Sequence, residues 1–254
     1  MNEVTFDVTI ILPALLAGLL VTATHVPLGQ RVLQRGIIFL DLAVAQIAGL
    51  GIIAAYSSGW APGGWQVQLV AVSAAVLGVL LLNYSEKKWP EIQEALIGSL
   101  FVLASSGSVL LLATNPHGGE QLKELLVGQI LWVSYQELMP VLIIYAVILG
   151  IWYGLSHRKS SLQFYLLFAV TITASVQLVG VYLVFATLIF PALAVRNIKQ
   201  FSLAYGYIIG AAGYLTGLIL AALMDMPAGA MIVYALAITA LLIAWVMKTQ
   251  SKLN

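Results

Sequence analysis

Apolar residues in this chain do not recur at the period of an amphipathic helix or strand. They run on for up to about twenty positions at a time, the length a helix needs to cross about 30 Å of hydrocarbon, and the polar residues collect between the runs. Nine runs lie near residues 7–25, 36–57, 66–84, 95–113, 137–155, 162–178, 180–195, 203–222 and 229–247. Backbone amides inside a bilayer find no water, so a single chain segment there is stable only as a helix or as part of a closed barrel. The pattern therefore predicts an all-α, polytopic transmembrane helix bundle of about nine spans. The seventh run is short and meets the sixth at a tight turn at Gly180, so one of that pair is expected to be broken or re-entrant, and eight full spans are the alternative. No basic region precedes the first run, which is read as a retained helix and not a cleaved leader.

Charge then orients the bundle. Only 8% of the 254 residues are charged against 61% hydrophobic, and the charges sit between runs and not on helix faces. Threading the first run from outside to inside puts ten of the eleven basic residues on the cytoplasmic side: Arg31, Arg35, Lys87, Lys88, Arg158, Lys159, Arg196, Lys199, Lys248 and Lys252, with Lys123 alone outside. The bias of basic residues toward the cytoplasm selects that orientation, with the N-terminus, bearing Glu3 and Asp7, outside and the C-terminus inside. A plasma (inner) membrane, multi-pass location is the expectation. A formal charge of +1 offers nothing to nucleic acid, and the absence of cysteine removes disulfides, thiolate metal sites and cysteine nucleophiles.

Most connections are short, so sequential helices are expected to be neighbours in one polytopic transmembrane domain over residues 1–254. Two connections differ. On the outer side, residues 115–137 hold Pro116 and the Gly118–Gly119 pair, then Leu122, Leu125, Leu126, Ile130 and Leu131 at helical spacing, which predicts a surface helix or half-inserted hairpin. On the inner side, Pro191 closes the seventh run and leads into a short basic piece containing Arg196 and Lys199, suited to docking a soluble partner. Small residues crowd several runs, at Gly49 and Gly51, Ser105 to Ser108, and Gly206, Gly210 and Gly213. Close helix packing is their expected role where lipid supplies no hydrophobic drive between helices.

Three segments, taken in order, resemble the membrane permeases of ATP-binding-cassette importers for zinc, manganese and iron. The first runs from Arg35 through Asp41 to Gln46 with Gly49 and Gly51, and is similar to that family's second helix. The second comprises Glu94 to Gly98 and then Leu126-Val127-Gly128-Gln129-Ile130-Leu131-Trp132-Val133-Ser134. The third, Gln177 to Ala192 through Gly180 and Pro191, is the closest match. The resemblance implies a second permease copy in a homodimer, ABC ATPase subunits in the cytoplasm and an extracytoplasmic solute-binding protein. It implies a divalent metal cation as transported substrate, with no permanently bound cofactor. The family's aspartate and histidine lie four residues apart on one helix face. Here Leu42 and Gln46 occupy those positions and Asp41 is displaced by one, leaving Asp41 and Gln46 about 140° apart around a helix.

The candidate sites follow. Asp41 is the only acidic residue well inside an apolar run, and an intramembrane carboxylate is read by default as a pathway residue, against a structural ion pair with Arg31 or Arg35. Gln46 offers a neutral amide oxygen to a passing cation, and Gln177, flanked by Thr171, Thr173 and Ser175, is placed with them along the pathway; interhelical hydrogen bonds are the competing reading. Asp41 and Gln46 are the metal contacts, and His117 with Glu120 forms the one ligand cluster near the outer side. His25 and His157 are read as interfacial or solvated. Pro191, Arg196 and Lys199 are assigned to ATPase coupling. No phosphate-binding loop or hydrolase motif occurs, so the chain is expected to be a transport permease and not an enzyme. A secondary, ion-coupled carrier using Asp41 is the alternative, and a membrane scaffold for a soluble enzyme is a third reading.

Overall fold

The computed structural model describes residues 8–60, 64–113, 118–154, 160–198 and 200–250. Its regular elements are all helical: α1 (Val8–Arg35), α2 (Leu40–Ser57), α3 (Trp65–Lys88), α4 (Gln93–Leu112), α5 (Gly118–Val127), α6 (Tyr135–Gly154), α7 (Ser161–Val179), α8 (Val181–Val195), α9 (Ser202–Met224) and α10 (Ala228–Gln250). Single 3-10 turns lead into α4 at Pro90–Ile92 and follow α5 at Ile130–Trp132. Among the described residues eight helices are long and apolar enough to cross a membrane, and α8 is shorter. Its 15 residues span only about 22 Å at the rise of an α-helix. Eight long helices and one short one are compatible with either count, and a helix, α5, forms within residues 115–137, where a surface helix or half-inserted hairpin was expected.

The first helix is longer than its apolar run. Gln30, Arg31 and Gln34 are good helix formers, and α1 continues through Pro27 to Arg35. Pro27 has no amide to give the carbonyl four residues earlier. That carbonyl, on Ala23, instead accepts from the Tyr207 hydroxyl at 3.3 Å. The helix stops where Gly36 takes a left-handed φ of +70°, a conformation that costs glycine little.

Two compact units emerge. One comprises residues 1–34, 127–145 and 178–254, and the other residues 35–126 and 146–177, so the chain passes between them inside α6 and near the end of α7. In the first, α8 is the interior helix: Val181, Leu183, Val184, Thr187, Leu188, Ala192 and Val195 are buried on several sides of it. Helix α1 approaches closely enough that a Cβ on Gly29 would lie 2.0 Å from the Leu188 carbonyl oxygen. In the second unit α2 is interior. A Cβ on its Gly51 would lie 3.1 Å from the Val70 carbonyl of α3, and one on its Gly49 would press on Leu125 of α5. Ile47 of α2 fills the space over Gly78, and Leu50 that over Gly107 of α4. The small-residue clusters are thus packing devices, as expected where dispersion and close approach replace hydrophobic drive.

Candidate functional site

The start of α2 is built from backbone and one carboxylate. After Gly36, the Leu40 amide bonds the Ile37 carbonyl at 3.1 Å and the Ala43 amide bonds the Phe39 carbonyl at 3.1 Å. The Phe39 amide donates to Glu94 Oε1 of α4 at 3.3 Å. Asp41 is the second residue of the helix. The sequence placed it well inside an apolar run, but the break at Gly36 puts it in the first turn of α2. There the free amides and the positive end of the helix dipole favour a carboxylate.

Asp41 is 1% exposed and Gln46 2%. Both are buried although they lie about 140° apart around the axis, because α2 has neighbours on several sides. Asp41 Oδ1 and Gln46 Oε1 have no hydrogen-bond partner among the described residues. They are separated by about 7.5 Å along the helix.

The arginines suspected of neutralising Asp41 are engaged elsewhere. Arg35 lies 3.5 Å from Glu86 Oε1, donates to Ser161 Oγ at 3.1 Å and stacks 4.5 Å from the centroid of the Phe164 ring. Ser161 also donates to Glu86. Arg31 donates to Gln34. A second polar set lies beside this one: Ser85 donates to Gln93 Oε1 at 2.8 Å, while the Gln93 amide donates to the Leu82 carbonyl at 3.0 Å and to the Tyr165 hydroxyl at 3.4 Å. Sequence reasoning missed this network, since its members come from three separate helices, α3, α4 and α7. The one signal was polar residues flanking each end of several runs.

Gln177 is not beside Asp41. The Arg35, Glu86 and Ser161 contacts gather the end of α1, the end of α3 and the start of α7, which is the end of the unit where α2 begins. At the opposite end Gln68 of α3 donates to Gln177 Oε1, and the Gln177 amide donates to the Thr173 carbonyl at 3.3 Å. Thr171, Thr173 and Ser175 each donate to the carbonyl one turn earlier on α7, at 2.7, 2.8 and 2.6 Å. Asp41 and Gln46 thus stand on different faces of one buried helix, and Gln177 lies far along the unit.

At the other candidate surface, Pro191 is buried in the last turns of α8 and Arg196 is exposed, its guanidinium donating to the Leu193 carbonyl at 3.1 Å. The segment expected as a short docking piece is a turn closed by the Ile198 amide on the Val195 carbonyl at 2.9 Å. Phe201 then takes a φ of +60° before α9 begins. A groove of about 290 Å³ runs beside this turn, lined by Gln30 and Gln34 of α1 together with Arg196, Asn197 and Ser202. Lys199 lies outside the described residues. A larger apolar groove of about 550 Å³ on α3, between Trp60, Trp65, Leu69 and Leu77, carries no chemistry and has the character of a lipid-facing surface.

His117 and His157 also lie outside the described residues. Glu120 is exposed in the first turn of α5. His25 is not solvated: its side chain is buried, with Nδ1–H donating to the Val21 carbonyl at 2.9 Å. Among the described residues no group of three or more His, Asp or Glu side chains is placed to hold a metal ion.

A sequence profile of the ABC 3 transport family matches residues 7–158 and 151–248. The chain belongs to that family. It is accordingly a multi-pass membrane protein and a transport permease subunit. The fold is similar to that of PsaBC from Streptococcus pneumoniae, solved in complex with Fab, with a TM-score of 0.72 at 20% identity over 94% of this chain and 91% of that one. It is also similar to a metal-chelate type ABC transporter in an inward-facing conformation, with a TM-score of 0.65 at 19% identity over 96% of this chain and 86% of the other. No curated protein sequence gives a significant match.

Proposed function

We propose that the chain is the membrane-spanning subunit of an ATP-driven importer of divalent metal cations, zinc, manganese or iron, in the plasma (inner) membrane. In this reading two copies form the translocation pathway, separate ATPase subunits dock on the cytoplasmic turn at Arg196, and an outer binding protein delivers the metal. The family and the fold shared with a metal-chelate type ABC transporter support the transport class.

The observation that carries the metal reading is the pair of enclosed oxygens on α2, Asp41 Oδ1 and Gln46 Oε1, neither with a partner among the described residues. A carboxylate and an amide oxygen are suitable for a divalent cation in transit, which needs ligands strong enough to replace some water and weak enough to release it. The amide binds zinc less well than an imidazole would, favouring passage over retention. Glu94 and the α2 N-terminus fix where the Asp41 carboxylate stands, Pro191 shapes the end of α8, and Arg196 with Lys199 offers positive charge to the ATPase. His117 and Glu120 are assigned to the outer approach, where they meet the metal or the binding protein.

The test is uptake of labelled zinc, manganese and iron into vesicles holding the permease with its ATPase and binding protein. Asp41→Asn at unchanged membrane abundance is expected to lower uptake by at least about tenfold, a change of the size produced when an intramembrane charge on a pathway is lost. Uptake equal to wild type removes Asp41 from the pathway. If the chain purifies with no ATPase and moves metal on an ion gradient alone, the secondary-carrier alternative replaces this one.

A further inference from the structure

Two of the resembling motifs carry a glycine that neither hydropathy nor metal chemistry explains: Gly128 in Leu126–Gln129 and Gly180 in Gln177–Ala192. In the structure these two glycines touch. Both take left-handed φ values, +72° and +84°, and each occupies space in which the other permits no side chain. A Cβ on Gly128 would lie 2.1 Å from the Val179 carbonyl oxygen and 2.6 Å from the Gly180 nitrogen, and one on Gly180 would lie 2.4 Å from the Gly128 nitrogen. The obstructing atoms are backbone on both sides, so no rotamer change relieves the clash. A third glycine joins them: a Cβ on Gly229, at the start of α10, would lie 2.8 Å from the Val127 carbonyl oxygen. All of these residues belong to one compact unit.

We propose that Gly128, Gly180 and Gly229 are positioning residues for transport, fastening the segment after α5 to the α7–α8 turn and to α10 so that a displacement of that segment is carried along α8 to Arg196. Helix α8 begins at the clasp, immediately after Gly180, and ends one residue before Arg196. It is 15 residues long and buried over most of its length, and its one internal proline, Pro191, is itself buried. Apolar packing and the buried Thr187–Tyr214 hydrogen bond of 2.8 Å seat it against its own unit. A short helix packed over most of its length moves largely as a body, which is how a small shift at one end becomes a shift at the other. This inference rests on the proposed function in two respects, that the Arg196 turn meets the ATPase and that the α5 side meets the binding protein.

The experiment uses the complete transporter in vesicles and compares Gly128→Ala, Gly180→Ala and Gly229→Ala with Gly98→Ala, where an added Cβ meets nothing within 4 Å. ATP hydrolysis is read with and without metal-loaded binding protein, alongside metal uptake. The expected result for the clasp variants is basal hydrolysis within about twofold of wild type and stimulation by the binding protein reduced about tenfold, the size of an ordinary coupling between sites. Gly229→Ala, with the looser contact, is expected to fall between Gly98→Ala and the other two. A purely structural role would instead lower abundance and basal hydrolysis together. Should Gly128→Ala and Gly180→Ala fail to assemble, Gly229→Ala decides: normal stimulation in that variant, at normal uptake, overturns the inference. Wild-type vesicles that show no stimulation at all overturn the proposed function instead, so the two failures are distinguishable.

Discussion

Arg35 closes one end of the second unit through three different interactions, and removing it separates them. Its guanidinium sits 4.5 Å above the Phe164 ring, donates to Ser161 at 3.1 Å and lies 3.5 Å from Glu86, with the two ionic side chains 16% and 25% exposed. The stacking contributes about 1 kcal/mol at this depth, and the hydrogen bond to a neutral hydroxyl about another 1 kcal/mol. The ion pair is long and partly solvated, so its own attraction adds about 0.5 kcal/mol. Truncation also leaves the partly enclosed Glu86 carboxylate with Ser161 as its remaining side-chain partner among the described residues, which costs more than the pair itself contributed. Arg35→Ala is therefore expected to destabilise the protein by about 3 kcal/mol, and Arg35→Lys, which keeps the charge but loses the planar stack and the fork of donors, by about half as much. Reversible unfolding by SDS titration in mixed micelles, followed by circular dichroism, measures both. A double-mutant cycle with Glu86→Gln isolates the pair, and a coupling of about 0.5 to 1 kcal/mol is expected there. Equal stability of Arg35→Lys and wild type would show that charge alone matters and refute the stacking argument. A loss below about 0.5 kcal/mol for Arg35→Ala would refute the whole assignment, because it is no larger than an ordinary surface substitution.

Three further outcomes are expected. Gly217→Ala, whose Cβ would lie 2.5 Å from the Ile232 Cα, should cost about 2 kcal/mol by overpacking, whereas Gly98→Ala, which meets open space, should be neutral or stabilise by about 0.5 kcal/mol through helix propensity; melting in detergent ranks them, and the reverse order would contradict the packing described. Tyr214→Phe removes the 2.8 Å bond to Thr187, but Thr187 still donates to the Leu183 carbonyl at 2.7 Å, so the cost should stay near 1 kcal/mol; a loss several times larger in the same unfolding assay would mean the ring position itself depends on that bond. Gln46→His supplies an imidazole where the chain has an amide, and the metal concentration for half-maximal zinc uptake should fall several-fold with a slower maximal rate; unchanged kinetics would place Gln46 off the pathway.

Run length made the helices legible before any coordinates. What it could not reveal was where a helix ends when its last turns are polar. Residues 26–35 look like a loop by hydropathy, yet α1 continues through them, because Tyr207, nearly two hundred positions away, repairs the carbonyl that Pro27 orphans. The same limit misplaced Asp41. Read by hydropathy alone it lies deep in a run that starts at Gly36, but glycine's tolerance of a positive φ turns the chain there and resets the start of α2 to Leu40. Gln177 and Asp41 looked alike as polar residues in apolar runs, and only the contacts of Arg35 at one end and Gln68 at the other separate them. Gly128 and Gly180 were visible as motif residues, but their contact is between segments about fifty positions apart, which no local pattern encodes.

Which helices are interior was equally hidden, for a physical reason. A span enclosed on all sides is apolar all round, and so is a span that faces lipid on all sides, so periodicity does not distinguish them. Side-chain size does. In α2 the sequence Ala43, Ala45, Ala48, Gly49, Gly51, Ala54 and Ala55 lets neighbours close in from several directions, and two-thirds of the helix is buried, whereas α3 and α4, richer in leucine at the surface, are mostly exposed. A carboxylate on a lipid-facing helix can snorkel toward the headgroups. Asp41 cannot, since its helix presents little surface to lipid and the residue itself is 1% exposed. Its carboxyl group must be met by α2's own first-turn amides, by a proton, by water or by a cation reaching it from within the protein, and Oδ1 has no hydrogen-bond partner among the described residues. The proposed pathway role of Asp41 rests on that combination of a small-residue helix and an enclosed carboxyl oxygen with no hydrogen-bond partner among the described residues.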